Sequence, residues 1–159
     1  MSRGSSWSNT TELIAHGAVV LSLIYVGVQI KQNTAAIRTD TSQSVYMMHQ
    51  ERVLATLENP EVAELLIRGS LTPESLSAAD SLRYRRHLNL TLNLQESVYS
   101  NYLLGTLEPG MAAGWLDGMP DAVCEAEAFA NYWSESRSAY QAEFVTAMDS
   151  AMVVGGCGE

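Results

Sequence analysis

Four polar side chains near the middle of the sequence could carry out chemistry together. They are Arg86, Asn89, Asn93 and Glu96. Their spacing of three and four residues places them on one face of a helix, and we call this set the polar stripe. A buried polar group destabilises a fold unless it finds a partner, so an internal hydrogen-bond network or a water-facing edge is the plain interpretation. A ligand pocket or a proton-handling Glu96 is the functional alternative.

Histidines offer a second kind of chemistry. His16 lies at the start of a long apolar run, where an imidazole could ligate a pigment or haem but could also reach headgroups, water or a backbone carbonyl. His49 and His87 have no second ligand at metal-binding spacing. Sequence motifs such as GxSxG, HExxH and GxxxxGK[ST] are also absent. We therefore predict no catalytic residue, no metal and no cofactor.

The apolar run itself extends from Leu13 to Ile30, 18 residues without a formal charge. As a helix it measures about 27 Å, against about 30 Å for the hydrocarbon core of a bilayer. Its central part, "GAVVLSLIYVGV", is apolar on every side apart from Ser22, and a chain of this size has too little other material to bury such a helix. We predict a transmembrane helix over residues 11–31, with a cleaved signal peptide and a soluble core helix as alternatives.

Small residues within this run could admit a neighbouring helix. Ala18 and Ser22 form a small-xxx-small pair, and Gly27 adds another position where no side chain would keep a second helix away. The expected partners are therefore membrane lipids, a membrane protein, or a second copy of the chain.

Charge is distributed unevenly along the chain. Residues 101–159 contain one Lys or Arg against nine Asp or Glu, so most of the net charge of −9 lies there. Such a surface repels phosphate backbones, and no nucleic-acid partner is predicted. Arg3 precedes the apolar run, while Lys31, Arg38 and, farther along, Arg52 follow it, which favours a cytoplasmic C-terminal domain by the positive-inside rule. We expect Cys124 and Cys157 to be unpaired, and unpaired, reduced cysteines are typical of a cytoplasmic domain.

Two further segments have helical patterns. In "NPEVAELLIRGS" we expect Pro60 to take the first position of a helix and Gly69 to end it after Arg68. Near the C-terminus, a set of mostly aromatic residues at helical spacing is expected to form a core face: Trp115, Phe129, Tyr132, Trp133, Tyr140, Phe144 and Met148.

Helical patterns dominate the remainder of the chain. The alternating leucines of "LNLTLNL" suggest a strand, but they lie in a segment free of Gly and Pro from Ser77 to Leu104, which favours a helix. The predicted fold is all-α: a transmembrane helix continuing into a stalk, followed by a small helical domain. Its predicted parts are a flexible N-terminus at 1–10, the span at 11–31, a stalk or long helix at 32–58, the helical domain at 59–152 and a disordered tail at 153–159.

The run "SLIYVGVQIKQNT", from Ser22 to Thr34, resembles the opening motif of a broad family of small uncharacterised bacterial proteins. "ENPEVAELLIRG", Glu96 and Tyr99 of "QESVYSNYLLGTLEPG", and Trp115 are similar to later landmarks of that family. Where relatives often carry an aromatic residue and an arginine before the glutamate, this chain reads "LNLTLNLQE". The resemblance implies a bacterial, membrane-anchored helical protein and supplies no activity.

Three functional hypotheses follow from the sequence. The first is a non-enzymatic single-pass protein of the bacterial inner membrane, acting as an accessory or scaffolding subunit on a larger membrane complex. The second is a small-molecule-binding or enzymatic helical domain that uses the polar stripe. The third is a span that binds a pigment through His16.

Overall fold

The computed structural model describes residues 5–118 and 127–154, and within these two ranges all regular structure is helical. The chain divides into two compact units, residues 1–37 and residues 38–159. The predicted fold class is confirmed: a long apolar N-terminal helix is followed by a small helical domain. The described α-helices are α1 Ser5–Glu58, α2 Pro60–Leu71, α3 Ala78–Leu103, α4 Pro109–Asp117, α5 Glu127–Ser136 and α6 Ala142–Val154.

The first unit contains the apolar part of α1. From Leu13 to Ile30 every large apolar residue is exposed, from 49% at Val28 to 73% at Leu13. Ser22 satisfies its hydroxyl internally, because Oγ donates to the carbonyl oxygen of Ala18 at 2.8 Å. The segment therefore presents an almost continuous apolar surface.

Helix ends differ from the predicted boundaries at both ends of the chain. α1 already includes residues 5–10, for which we predicted a flexible N-terminus, and α6 continues through Val153 and Val154, which we assigned to the tail. Extending an existing helix adds one hydrogen bond per residue fixed, so polar residues can join the end of a long helix. Cys124, Cys157 and residues 155–159 lie outside the described residues.

The second unit begins at Arg38, inside the segment predicted as a stalk. Arg38 Nε donates to the carbonyl oxygen of Gly105 at 2.9 Å, and Ser42 Oγ accepts from the backbone N–H of Glu108 at 3.2 Å. Val45 is almost completely buried. The second half of α1 therefore belongs to the helical domain, and only residues 32–37 of the predicted stalk precede it. Few apolar positions mark this packing, which is why the sequence suggested a polar stalk.

The leucine alternation in α3 has a helical explanation. Leu88 and Leu92 lie four residues apart in one buried cluster, whereas Leu94 and Val98, also four apart, lie in another. Leu90 is mostly exposed. Two apolar faces on one helix thus produce a sequence that resembles a strand, and the choice of a helix here is confirmed.

The end of α2 differs from the predicted one, and the reason lies in the packing of α2 on α3. We expected Gly69 to end α2, but the helix continues to Leu71 and Gly69 is buried within it. A Cβ at Gly69 would lie 2.5 Å from Cγ of Tyr84 on α3. The glycine is therefore needed for close approach rather than for termination.

The larger core lies between α2, α3 and the two C-terminal helices. Trp133 and Phe144 meet edge to face, with ring centroids 5.9 Å apart, and both are buried. The Trp133 indole nitrogen donates to Asp149 at 2.9 Å, so its polar atom is satisfied. The aromatic residues predicted for this core face are thus largely confirmed. Trp115 is different, because it packs against the smaller cluster of Val45, Leu94, Val98, Leu107 and Ala112.

Candidate functional site

Glu96 of the polar stripe contacts the start of the last helix. Its Oε1 accepts from the backbone N–H of Gln141 at 2.7 Å, immediately before α6 begins at Ala142. A carboxylate at this position satisfies an otherwise unbonded N–H and complements the positive end of the helix dipole. The contact joins α3 to α6.

The two asparagines form a second set of hydrogen bonds, which ends at the residue before Gln141. Asn89 Nδ2 donates to Tyr140 Oη at 3.2 Å, and Asn93 Nδ2 donates to Asn89 Oδ1 at 3.3 Å. Burial is the largest cause of a raised Tyr140 pKa, so the phenol stays protonated at neutral pH. Arg86 is exposed, and no hydrogen bond or ion pair joins it to another residue in the part of the chain that the structure describes. Each of the other three stripe residues thus makes at least one hydrogen bond within the fold.

The residues predicted to act in the apolar run are all exposed. These are His16, Ala18, Ser22 and Gly27. A Cβ at Gly27 would meet nothing within 4 Å, so this position is open to a neighbour. Helix packing at Ala18, Ser22 and Gly27 and ligation by His16 stay predictions.

A second polar cluster centres on Arg52, in the part of α1 that belongs to the second unit. The guanidinium is half-buried, and its Nη2 donates to Thr91 Oγ1 on α3 at 2.6 Å. Its Nε is completely buried and has no acceptor within the described ranges. Thr91 in turn donates to the carbonyl oxygen of His87 at 2.9 Å.

The surroundings of Arg52 disfavour additional positive charge. Burial lowers the pKa of Arg52, although an arginine still carries its charge at neutral pH. The pKa of His87 is also lowered, chiefly by burial and further by the positive charge of Arg52. His87 is therefore neutral at pH 7, and Arg52 is the cation of this cluster.

Arg52 borders a groove with a volume of about 490 Å³, built from α1, α3 and α4. One wall is aromatic: His49 and Trp115 meet edge to face, with centroids 5.5 Å apart. Gln95 is buried in the same groove, and its Oε1 has no donor among the described residues. We call this the Arg52 groove; its lining is Tyr46, His49, Arg52, Thr91, Gln95, Gly114, Trp115 and Gly118. Arg52 also borders adjacent grooves of about 380 and 400 Å³.

Sequence reasoning did not identify the Arg52 groove. We considered Arg52 only as a charge flanking the apolar run, and His49 and His87 only as metal ligands. The spacing of His49 and Arg52 places both on one face of α1, but their neighbours come from helices about 40 and 65 residues further along the chain. The described residues contain no group of three or more His, Cys, Asp or Glu side chains that could hold a metal ion.

Comparison with known proteins returned no match: no protein-family model, no curated protein and no solved structure is significantly similar to this chain.

Proposed function

We propose that this chain is a non-enzymatic, single-pass protein of the bacterial inner membrane, which acts as an accessory or scaffolding subunit on a larger membrane complex. The observation that carries the proposal is the exposure of the whole apolar run from Leu13 to Ile30. Within the described residues, α1 is the one helix long and apolar enough to cross a membrane.

The energetic argument concerns the side chains of this run. Moving a Val, Leu or Ile side chain out of water is favourable by about 1.5–3 kcal/mol. Exposure on all faces favours a lipid environment over docking of one face on another protein, because docking would leave the other faces in water. The backbone can enter a bilayer, since a helix satisfies its own N–H and C=O groups.

The compartment and orientation rest on flanking charge and on the resemblance noted in the sequence. Lys31 and Arg38 follow the run, whereas Arg3 precedes it. The positive-inside rule then favours a cytoplasmic helical domain. The resemblance of "SLIYVGVQIKQNT" to a bacterial family supports the inner membrane.

Fractionation of membranes with matched arginine variants tests the anchoring. We expect the full-length chain to stay in the membrane pellet after carbonate washing. Leu21→Arg with Ile24→Arg is expected to release it, because each arginine at mid-span costs about 2.5–3.5 kcal/mol. Leu54→Arg with Leu57→Arg is the control, since these exposed α1 positions lie outside the run.

Two results would contradict the anchoring. One is release of the unaltered protein by carbonate. The other is an intact mass that lacks the N-terminal segment, because the run would then be a cleaved signal.

The docking part of the proposal is supported by apolar residues that stay exposed on the second unit. Ile67, Leu71, Leu82 and Leu90 are each more than half exposed. Purification of the full-length protein from native membranes in mild detergent tests this part. A stoichiometric membrane protein in the eluate is expected; a lone protein at every detergent concentration that preserves native complexes would contradict docking.

A further inference from the structure

The charge on Arg52 has no counter-charge in the part of the chain that the structure describes. The four ion pairs there use other arginines: Arg68, Arg83, Arg85 and Arg137. Arg52 instead donates to the neutral hydroxyl of Thr91. A partly buried cation is ordinarily paired with an anion, because desolvation is otherwise uncompensated.

The groups nearest to Arg52 do not supply that anion. His87 and Thr91 are neutral, and Gln95 contributes an amide. Glu51 precedes Arg52 in sequence and borders one adjacent groove, but it is exposed and makes no ion pair among the described residues. The local field is therefore positive and favours an anion from outside.

The Arg52 groove combines this field with apolar walls. His49 and Trp115 form the aromatic wall, and Tyr46 adds a third ring. A volume of about 490 Å³ falls within the range of small-molecule sites. Few polar groups set against mostly apolar walls are the usual composition of a site for an organic ligand.

We propose that the Arg52 groove binds an organic carboxylate with an apolar or aromatic body, with its carboxylate at Arg52 and its body against His49 and Trp115. A guanidinium matches a carboxylate in geometry and charge, and its planar face tolerates apolar neighbours. A small inorganic anion would leave the aromatic wall unfilled. The same chemistry occurs in soluble aromatic acids and in fatty acids, so the experiment includes both.

Calorimetric titration of the full-length protein in nanodiscs, corrected with empty nanodiscs, tests the proposal. The probes are 2-naphthoate, its neutral amide, decanoate and inorganic phosphate. We expect binding of at least one carboxylate, and at least tenfold weaker binding of the amide and phosphate. Tighter binding of naphthoate indicates a soluble acid, and tighter binding of decanoate indicates a lipid acid. Equal binding of naphthoate and its amide, or no binding of either carboxylate, would overturn the proposal.

Two variants show whether binding occurs in this groove. Arg52→Gln removes the cation, and at least a tenfold loss of affinity is expected. Gly114→Leu places a side chain on the lining of the groove and leaves Arg52 itself unchanged, and the position is open because a Cβ at Gly114 meets nothing within 4 Å. Gly110→Leu is its matched control: it lies on the same helix, is equally open and does not line the groove.

Loss of affinity in Gly114→Leu with retention in Gly110→Leu is the expected result, and it does not depend on whether Arg52→Gln folds. Unchanged affinity in Gly114→Leu would overturn the assignment to this groove. The titration does not depend on a partner complex, so its failure leaves the proposed anchoring and docking unaffected.

Discussion

At the level of single residues, Gly69 permits the close approach of α2 to α3. Gly69→Ala would place a methyl group against the ring of Tyr84, and we expect it to destabilise the helical domain by about 1–3 kcal/mol. Higher helix propensity offsets only about 1 kcal/mol of this cost. Thermal unfolding of the full-length protein in detergent, followed by circular dichroism, measures the difference.

Gly110→Ala is the matched control for Gly69→Ala. A Cβ at Gly110 meets nothing within 4 Å, so this variant is expected to be neutral or slightly stabilising. If both variants unfolded at the same temperature, the contact between Gly69 and Tyr84 would not matter for stability.

Residue identity alone predicted some contacts and not others. The polar stripe was visible because its members are close in sequence: Asn93 bonds to Asn89, while Asn89 and Glu96 bond to the neighbouring residues Tyr140 and Gln141. Gly69 was assigned to the wrong role because a glycine after Arg68 is typical of a helix end. The clash that explains Gly69 depends on Tyr84, 15 residues further along the chain, and no local pattern encodes that distance.

At the level of helices, α3 and α6 are joined through Glu96. Glu96→Gln keeps an oxygen acceptor but removes the negative charge at the start of α6. For a purely structural Glu96, this variant is expected to lose about 0.3–1 kcal/mol of stability. Glu96→Ala removes the acceptor as well and is expected to cost about 1–3 kcal/mol. Unfolding of both variants tests whether Glu96→Ala loses more stability than Glu96→Gln. Glu64→Gln, at an exposed position of α2, is the control.

The alternative function of the polar stripe predicts a different pattern for Glu96. Unchanged stability of Glu96→Gln together with loss of a co-purified ligand would assign the stripe to binding. Because Glu96 and Asn89 already bond to Gln141 and Tyr140, we expect the structural pattern instead.

Helix identity was more predictable than helix packing. Uninterrupted sequence between Ser77 and Leu104 correctly predicted α3, and Pro60 correctly marked the start of α2. The boundary between stalk and domain was not predictable, because its contacts at Arg38 and Ser42 are polar and give no apolar period. The Arg52 groove forms where three helices meet. The sequence contains its residues but does not show that they lie together in space.

At the level of the whole molecule, the chain contains two units with different surfaces. Residues 1–37 include an apolar run that is exposed on every face. Residues 38–159 form a helical domain with a buried aromatic core and a groove whose mostly apolar walls surround Arg52. This division is what a membrane anchor attached to a water-soluble domain requires, and it is the basis of the proposed function.

The most direct test of anchoring is spin-label accessibility along the apolar run. Single cysteines are placed at each position from 13 to 30 of the full-length chain, with Cys124 and Cys157 replaced by serine, and the protein is reconstituted in bilayers. A spanning helix predicts exclusion of a water-soluble relaxation agent at every position, and oxygen accessibility that is highest near Leu21 and falls toward both ends. Accessibility to the water-soluble agent that repeats every 3.6 residues, or that is uniform along the run, would contradict a spanning helix.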